Sequence, residues 1–352
     1  MKKIIFSFIF LLFAEYSIYA QFAQFYHLEG KIGTDELVIM DLQIKNSRAF
    51  GVYYSNKFEQ YAVFKGVEDK NGNIKLYAKK YDTILGIFVG KIMNSVFAGY
   101  FKVPNKKTLV HFSLKNDCSQ SICGARYFTY YGKYTLFKGM SKPRDTFSLS
   151  FFYPTIVPNP KIRSKLINAL DSAYFGTKCD FPPVCITNFV DALIEGYKDD
   201  NKGITEKNSS NALNYECSRK TELIYNDDNF LTIKLSGYDY WGGVHGLNFT
   251  DYLNFDLQTG KIYSLFDIIQ KSKKQQIIKK IKQNFIKQGL QDDISMDAVD
   301  IPEKFAILKD GILLKYSEYE LGCYALGEPS AFLKFEDIKN YLTKNFREHL
   351  HI

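Results

Sequence analysis

Short runs of alternating apolar and polar residues dominate the first third of the chain. Val38, Met40, Leu42 and Ile44 alternate with Ile39, Asp41 and Gln43. Val52 with Tyr54, Ile74 with Leu76, and Ile87 with Val89 repeat the two-residue period. Such a period puts every second side chain on one face of a strand. Turn signals fall near Gly33, Asn46-Ser47, Asn56, Asn71-Gly72-Asn73, Asn94-Ser95 and Pro104-Asn105. Short strands at this spacing predict an antiparallel β-barrel or sandwich domain over 22–140. Residues 116–150 read as the connection to the second half, polar at "NDCSQSICGARY" and linker-like at "KGMSKPRD".

The rhythm then changes. Asn159 followed by Pro160 marks a helix start, Ile162, Leu166, Leu170 and Tyr174 share a face, and Gly176 ends it. A second helix is expected after Thr187, with Phe189, Leu193 and Tyr197 at four-residue steps. Leu231 to Tyr240 and Leu247 to Leu257 read as strands, "QTG" at 258–260 as a hairpin turn, and Ser264 with Asp267 as a capping box. The stretch 271–290 holds seven Lys and no acid, with Ile278, Ile281, Phe285 and Ile286 as its buried stripe. It predicts either a solvated basic helix or one resting on an anionic surface. "ILLKY" and "AFLKF" are short strands, and 336–346 is a closing helix. Helices and strands are segregated, so 150–350 predicts an α+β domain: an antiparallel sheet with helices on one face.

Composition places this architecture. Residues 1–20 pair Lys2 and Lys3 with an apolar run and end at Ala20, the form of a signal peptide. The run is shorter than the roughly 20 residues a bilayer span needs, and no later apolar stretch reaches about 18. An exported chain, periplasmic or extracellular, with no integral membrane segment after cleavage is expected. Loss of Lys2, Lys3 and Glu15 takes the net charge from +8 to +7. That is too mild to imply a nucleic-acid partner. The 30 Phe and 26 Tyr favour β structure.

Export turns the six cysteines into disulfide candidates, with 15 possible connectivities. Short separations favour Cys118–Cys123 and Cys179–Cys185, leaving Cys217 and Cys323 to pair. CxxC-type metal clusters are missing, and no metal or other cofactor is implied. No GxSxG, P-loop or HExxH motif occurs. His27 and His111 stand far in sequence from any acidic cluster, and Asp227-Asp228 reads as a turn. His349 and His351 sit in the last residues, where fraying is expected.

"DYWGGVHG", 239–246, carries the single Trp and three glycines around His245. The segment resembles a specific family. Trp241 to Gly246, Asn254 to Lys261, and Leu265 to Ile268 match its aromatic-GGAHG, NFDLKTGK and L-x-D helix-start motifs. Residues 307–342 resemble a second block of it. This is the uncharacterised extracellular domain family found at the C-terminus of the anti-sigma factor RsiV and beside the peptidoglycan deacetylase PdaC. The sigma-binding segment and the deacetylase metal motif have no counterpart, so neither role carries over. Cys323 stands where the family has Pro. The glycine-and-aromatic hairpins Gly51 to Tyr54, Gly86 to Phe88 and Gly99 to Phe101 resemble small lipocalin-like β domains. The resemblance implies a cell-wall-linked binding protein with no catalytic residues, whose partner is a lysozyme-like protein or peptidoglycan or another glycan. Tyr238, Tyr240, Trp241 and His245 are the candidate binding residues. Alternatives are a glycan or ester hydrolase with His245 as base beside Asp239 or Asp251, and an apolar-ligand carrier using the barrel interior. The bland reading makes the glycines a corner and has His245 bond that corner.

Overall fold

The computed structural model describes residues 19–106, 108–179 and 181–352. The expected signal peptide lies outside the described residues, apart from the backbone of Tyr19 and Ala20.

Eight antiparallel strands form a closed barrel. They are β1 (Tyr19–Ile32), β2 (Glu36–Lys45), β3 (Arg48–Ser55), β4 (Ala62–Glu68), β5 (Asn73–Lys80), β6 (Thr83–Met93), β7 (Val96–Lys102) and β8 (Leu109–Asn116). Each strand pairs with the next, and β8 returns to β1 with Leu28 opposite Asn116 and Ile32 opposite Phe112. Two hairpins turn on Asn46-Ser47 and Asn94-Ser95, all four residues at positive φ. Tight two-residue hairpins need that geometry, and Asn tolerates it well.

Part of the alternation read from the sequence fills the barrel, whereas Val52 with Tyr54 and Ile87 with Val89 lie on its outer face and the residues between them, Tyr53 and Phe88, point in. Val38, Met40, Leu42 and Ile44 point inward, as do Leu76, Phe88, Phe97 and Phe112. The Phe88 ring centroid lies 4.6 Å from Phe101, 5.3 Å from Phe112 and 5.5 Å from Tyr53. Rings thus occupy the space that the carrier reading reserved for a ligand. The outward residues Ile39, Asp41 and Gln43 are buried as well, because the second half of the chain packs over β2. Tyr127 donates to Gln43 Oε1 at 2.7 Å, and Tyr54 donates to the Ile224 carbonyl at 2.5 Å.

The segment expected to connect the halves is instead mostly sheet. Residues 19–23 of β1 leave the barrel and pair with β9 (Gly124–Thr135). From there the sheet continues through β10 (Arg144–Ile156), β11 (Tyr215–Asp227), β12 (Phe230–Tyr240) and β13 (Leu247–Asp256). Only β10 and β11 are parallel, because two helices cross between them. These are α1 (Arg163–Phe175) and α2 (Pro182–Asp200). Asn159 and Gly176 bound the first as predicted: the Asn159 side chain accepts from the Lys161 N–H, and Gly176 has φ of 69°. The second begins earlier than expected, since Pro182 and Pro183 suit its first turn. Its buried stripe is therefore Ile186, Val190, Ile194 and Tyr197. Leu166, Leu170, Val190 and Ile194 pack on Phe147, Phe151, Leu231 and Ile233 of the sheet.

A second layer covers the opposite side. It holds α3 (Leu265–Ile268), α4 (Lys274–Lys287), the antiparallel strands β14 (Lys304–Leu308), β15 (Gly311–Lys315) and β16 (Ser330–Lys334), then α5 (Phe335–Ile338) and α6 (Lys344–His349). The capping box of Ser264 and Asp267 is present at α3. In α4 the buried residues are Ile277, Ile278, Ile281 and Phe285, while Ile286 is 55% exposed. Eight residues turn a helix by about 80° past full circles, which carries Ile286 off the Ile278 row. The expected closing helix is broken into α5 and α6.

Two disulfides form, Cys118–Cys123 and Cys179–Cys185, with Cα atoms 5.7 and 6.1 Å apart. The third expected pair does not. Cys217 is buried on β11 within the helix-covered core, whereas Cys323 is exposed on the β15–β16 loop. Burial pushes the Cys217 thiol up to about 12. Without reductant, a thiol alkylator should modify one cysteine in the folded chain and two in denaturant. Intact mass reads this directly, and six adducts without reductant would refute the pairing.

Candidate functional site

β12 and β13 are joined by the WGGVHG corner, and its three glycines have two causes. Gly242 and Gly243 have φ of 83° and 90°, where a side chain is strained. A Cβ on Gly246 would sit 2.4 Å from Tyr238 Cζ and 2.5 Å from the Asp239 carbonyl oxygen. Tyr240 donates its hydroxyl to the Gly243 carbonyl at 2.9 Å and closes the corner. Trp241 stands outside at 61% exposed, with Val244 fully exposed beside it.

His245 ties this corner to the β15–β16 loop. Its Nδ1 lies 3.1 Å from the Gly246 carbonyl oxygen and its Nε2 3.1 Å from the Tyr319 hydroxyl. The contacts suit the tautomer protonated at Nδ1, with Nε2 accepting from Tyr319. The imidazole stacks on Tyr324 at 3.9 Å, and Tyr324 donates to the Gly246 carbonyl at 3.3 Å. The carboxylates that the hydrolase reading gave to His245 are engaged elsewhere. Asp239 takes both Arg219 nitrogens, at 2.6 and 2.8 Å, and Asp251 accepts from the Tyr252 N–H.

Below the corner an open cleft of about 530 Å³ lies between β12–β13 and the β15–β16 loop. Its walls include Tyr238, Asn248, Phe249, Lys315, Glu318 and Glu328, with Ser218, Ser236 and Thr250 adding hydroxyls. Of the four candidate residues, only Tyr238 lines it. Tyr240 and His245 build the corner above, and Trp241 projects from the rim. Phe249 is held by the Arg219 guanidinium, 4.5 Å from its ring. Asn248 is held by Glu318, which accepts from its backbone N–H at 3.2 Å and its amide at 3.0 Å.

Glu328 is the distinctive group. Its side chain is 10% exposed. Oε2 accepts from Thr250 at 2.6 Å and stands 3.7 Å from Lys315 Nζ. Oε1 is buried and has no hydrogen-bond partner among the described residues. Burial lowers Lys315 below the usual lysine range, against the pull of Glu328. A buried carboxylate oxygen without a donor is costly, so Glu328 stands in the cleft wall with part of its hydrogen-bonding capacity unmet. The sequence signal was faint: a run of acids and tyrosines in "YSEYELGCYALGEP", 316–329.

Fold and cleft together define a barrel joined to an α+β module with an open, polar, aromatic-walled groove. Residues 140–248 match the model of the family described as "Deacetylase PdaC", and 255–336 that of "Protein of unknown function (DUF3298)". The chain therefore carries a PdaC/DUF3298-type uncharacterised domain behind an N-terminal barrel. A DUF3298-family structure from Bacteroides fragilis aligns over 65% of this chain and 96% of its own, with TM-score 0.59 and 22% identity. Another from Pseudomonas aeruginosa covers 62% and 95%, with TM-score 0.46 and 14% identity. No curated protein matches. The cleft draws its walls from both matched segments. Among the described residues no helix is long and apolar enough to cross a membrane.

Proposed function

We propose that this chain is an exported, non-catalytic binding protein of the cell envelope and that its cleft receives a cell-wall glycan. The two matched domain families fit a cell-envelope-related role. The two disulfides fit an oxidising compartment, periplasmic or extracellular. The observation that carries the ligand class is an open cleft walled by Tyr238 and Phe249, with Lys315, Glu318 and Glu328 beside them. Sugars present hydroxyl and amide donors beside apolar ring faces, and aromatic side chains stack on such faces. Lys315, Asn248 and the hydroxyls of Ser218 and Ser236 supply further polar contacts.

Retention on insoluble peptidoglycan, with calorimetry on soluble fragments, tests the proposal. Glu328→Gln and Tyr238→Ala should each weaken binding about tenfold or more, since a hydrogen bond to a charged group contributes roughly 1.5–3 kcal/mol. A folded wild-type chain that is not retained, or variants that bind as well as wild type, would overturn it. Capture of lysozyme that ignores both substitutions would point to a protein partner instead.

A further inference from the structure

A separate centre lies where the barrel meets the sheet. We propose that His27, Glu29 and Asp227 bind a divalent transition-metal ion, with Asp41 orienting the imidazole. The proposal does not depend on the glycan cleft.

Strand geometry assembles the group. Leu28 points into the barrel, so His27 and Glu29 share the outer face of β1. Asp227 ends β11, and Asp228-Asn229 make the tight turn into β12 with φ of 49° and 62°. That hairpin tip is pinned to the disulfide loop. Asn229 N–H donates to the Gln120 carbonyl at 3.0 Å, and Asn226 Oδ1 accepts from the Ile122 N–H at 2.8 Å. The tip thereby rests against β1. Residues 200 positions apart in sequence become neighbours, which gives His27 the acidic company that its sequence surroundings did not show.

His27 is fully buried. Its Nδ1 lies 2.9 Å from Asp41 Oδ1, which also accepts from Asn226 Nδ2 at 2.8 Å. A proton on Nδ1 shared with Asp41 turns the Nε2 lone pair outward. A carboxylate behind the imidazole is the usual support of a metal-bound histidine. Nε2 makes no hydrogen bond of acceptable angle. Glu29 Oε1 stands 3.3 Å from it and Asp227 Oδ1 3.9 Å, with all three atoms within 4.8 Å of one another. Metal bonds of about 2.0–2.1 Å at tetrahedral angles separate ligand atoms by roughly 3.3 Å, so small shifts close the set. Glu29 is 47% exposed, which gives an entry path and room for water ligands. One imidazole with two carboxylates suits zinc or manganese.

The field is negative, since Asp41, Glu29 and Asp227 surround the imidazole. A metal ion would bring two positive charges into it. Once bound, it would join β1 of the barrel to the β11–β12 hairpin.

The test uses the full chain, stripped with chelator and titrated with Zn2+ or Mn2+, with Mg2+ and Ca2+ for comparison. One equivalent should bind, raise the thermal midpoint, and, with Co2+, give visible absorption of a nitrogen–oxygen site. Glu29→Gln and Asp227→Asn should each weaken binding by tenfold or more. Glu29 is exposed enough that its variant keeps the fold. A His349→Ala/His351→Ala double variant should bind as wild type. No binding by the folded chain would overturn the proposal. So would binding that survives both carboxylate variants, or that is lost only with the C-terminal histidines.

Discussion

Phe88→Ala is expected to destabilise the chain by about 3–5 kcal/mol, the range for truncating a fully buried Phe. The ring sits at the centre of the barrel, 0% exposed, with Leu76 and Phe101 opposite it on the flanking strands. Tyr53, Phe101 and Phe112 pack on it from different strands. Its removal takes away the burial of a large side chain and leaves a cavity that three rigid rings cannot refill. Urea unfolding should show a much lower midpoint. Val89→Ala, next along the strand and 44% exposed, should change stability by no more than about 0.5 kcal/mol. Equal effects from the two variants would mean the interior is not packed as described. A hollow ligand-carrying barrel would tolerate the loss of Phe88, so the experiment also bears on the carrier reading.

Asp145→Asn should stabilise the chain at pH 8 by up to about 4 kcal/mol and leave it nearly unchanged at pH 4. Asp145 lies on β10, 4% exposed, with Oδ1 lacking a hydrogen-bond partner among the described residues. Burial, with a smaller push from Asp239 and against the Thr146 backbone N–H, raises its carboxyl from 3.8 to about 7. Below the unfolded value both states hold the proton, and the group contributes nothing. Between about 4 and 7 the unfolded chain releases its proton first, so stability falls as pH rises. Above about 7 both states are ionised and the full penalty remains. Asparagine carries no charge and removes that slope. The measurement is the difference in unfolding free energy between variant and wild type across this window. A difference independent of pH would show that Asp145 is not the titrating group.

How much of this was legible depends on the range of each interaction. Asn159, Pro160 and Gly176 bound their helix through contacts within a few residues, and Ser264 with Asp267 form their box across three. The strands around the WGGVHG corner stand close to their expected ends for the same reason. β9 was missed because both of its faces are covered. "ARYFTYY" is aromatic on each side and shows no alternation. Asp41 and Gln43 looked like solvent-facing residues until the second half of the chain covered β2. Of the cleft, Tyr238 was legible through its neighbour motif, whereas Glu328 and Lys315 reach it from a loop and strand more than 70 residues on. The Cys217–Cys323 pairing failed on a similar point, since counting thiols says nothing of which side of a sheet each occupies. The His27 group joins β1, β2 and β11, and no local pattern announces such a meeting.

One long strand has a mechanical consequence. β1 pairs with β9 through Ala23 and with β2 from Gln24 onward, so the barrel and the α+β sheet share a single hydrogen-bonded ladder. A hinge between the two would have to tear that ladder across the strand. The joint therefore acts as a beam rather than a tether. Torque applied at the barrel passes along β1 into the sheet that forms the floor of the cleft, and a one-residue slip there would turn His27 into the barrel and Leu28 out of it.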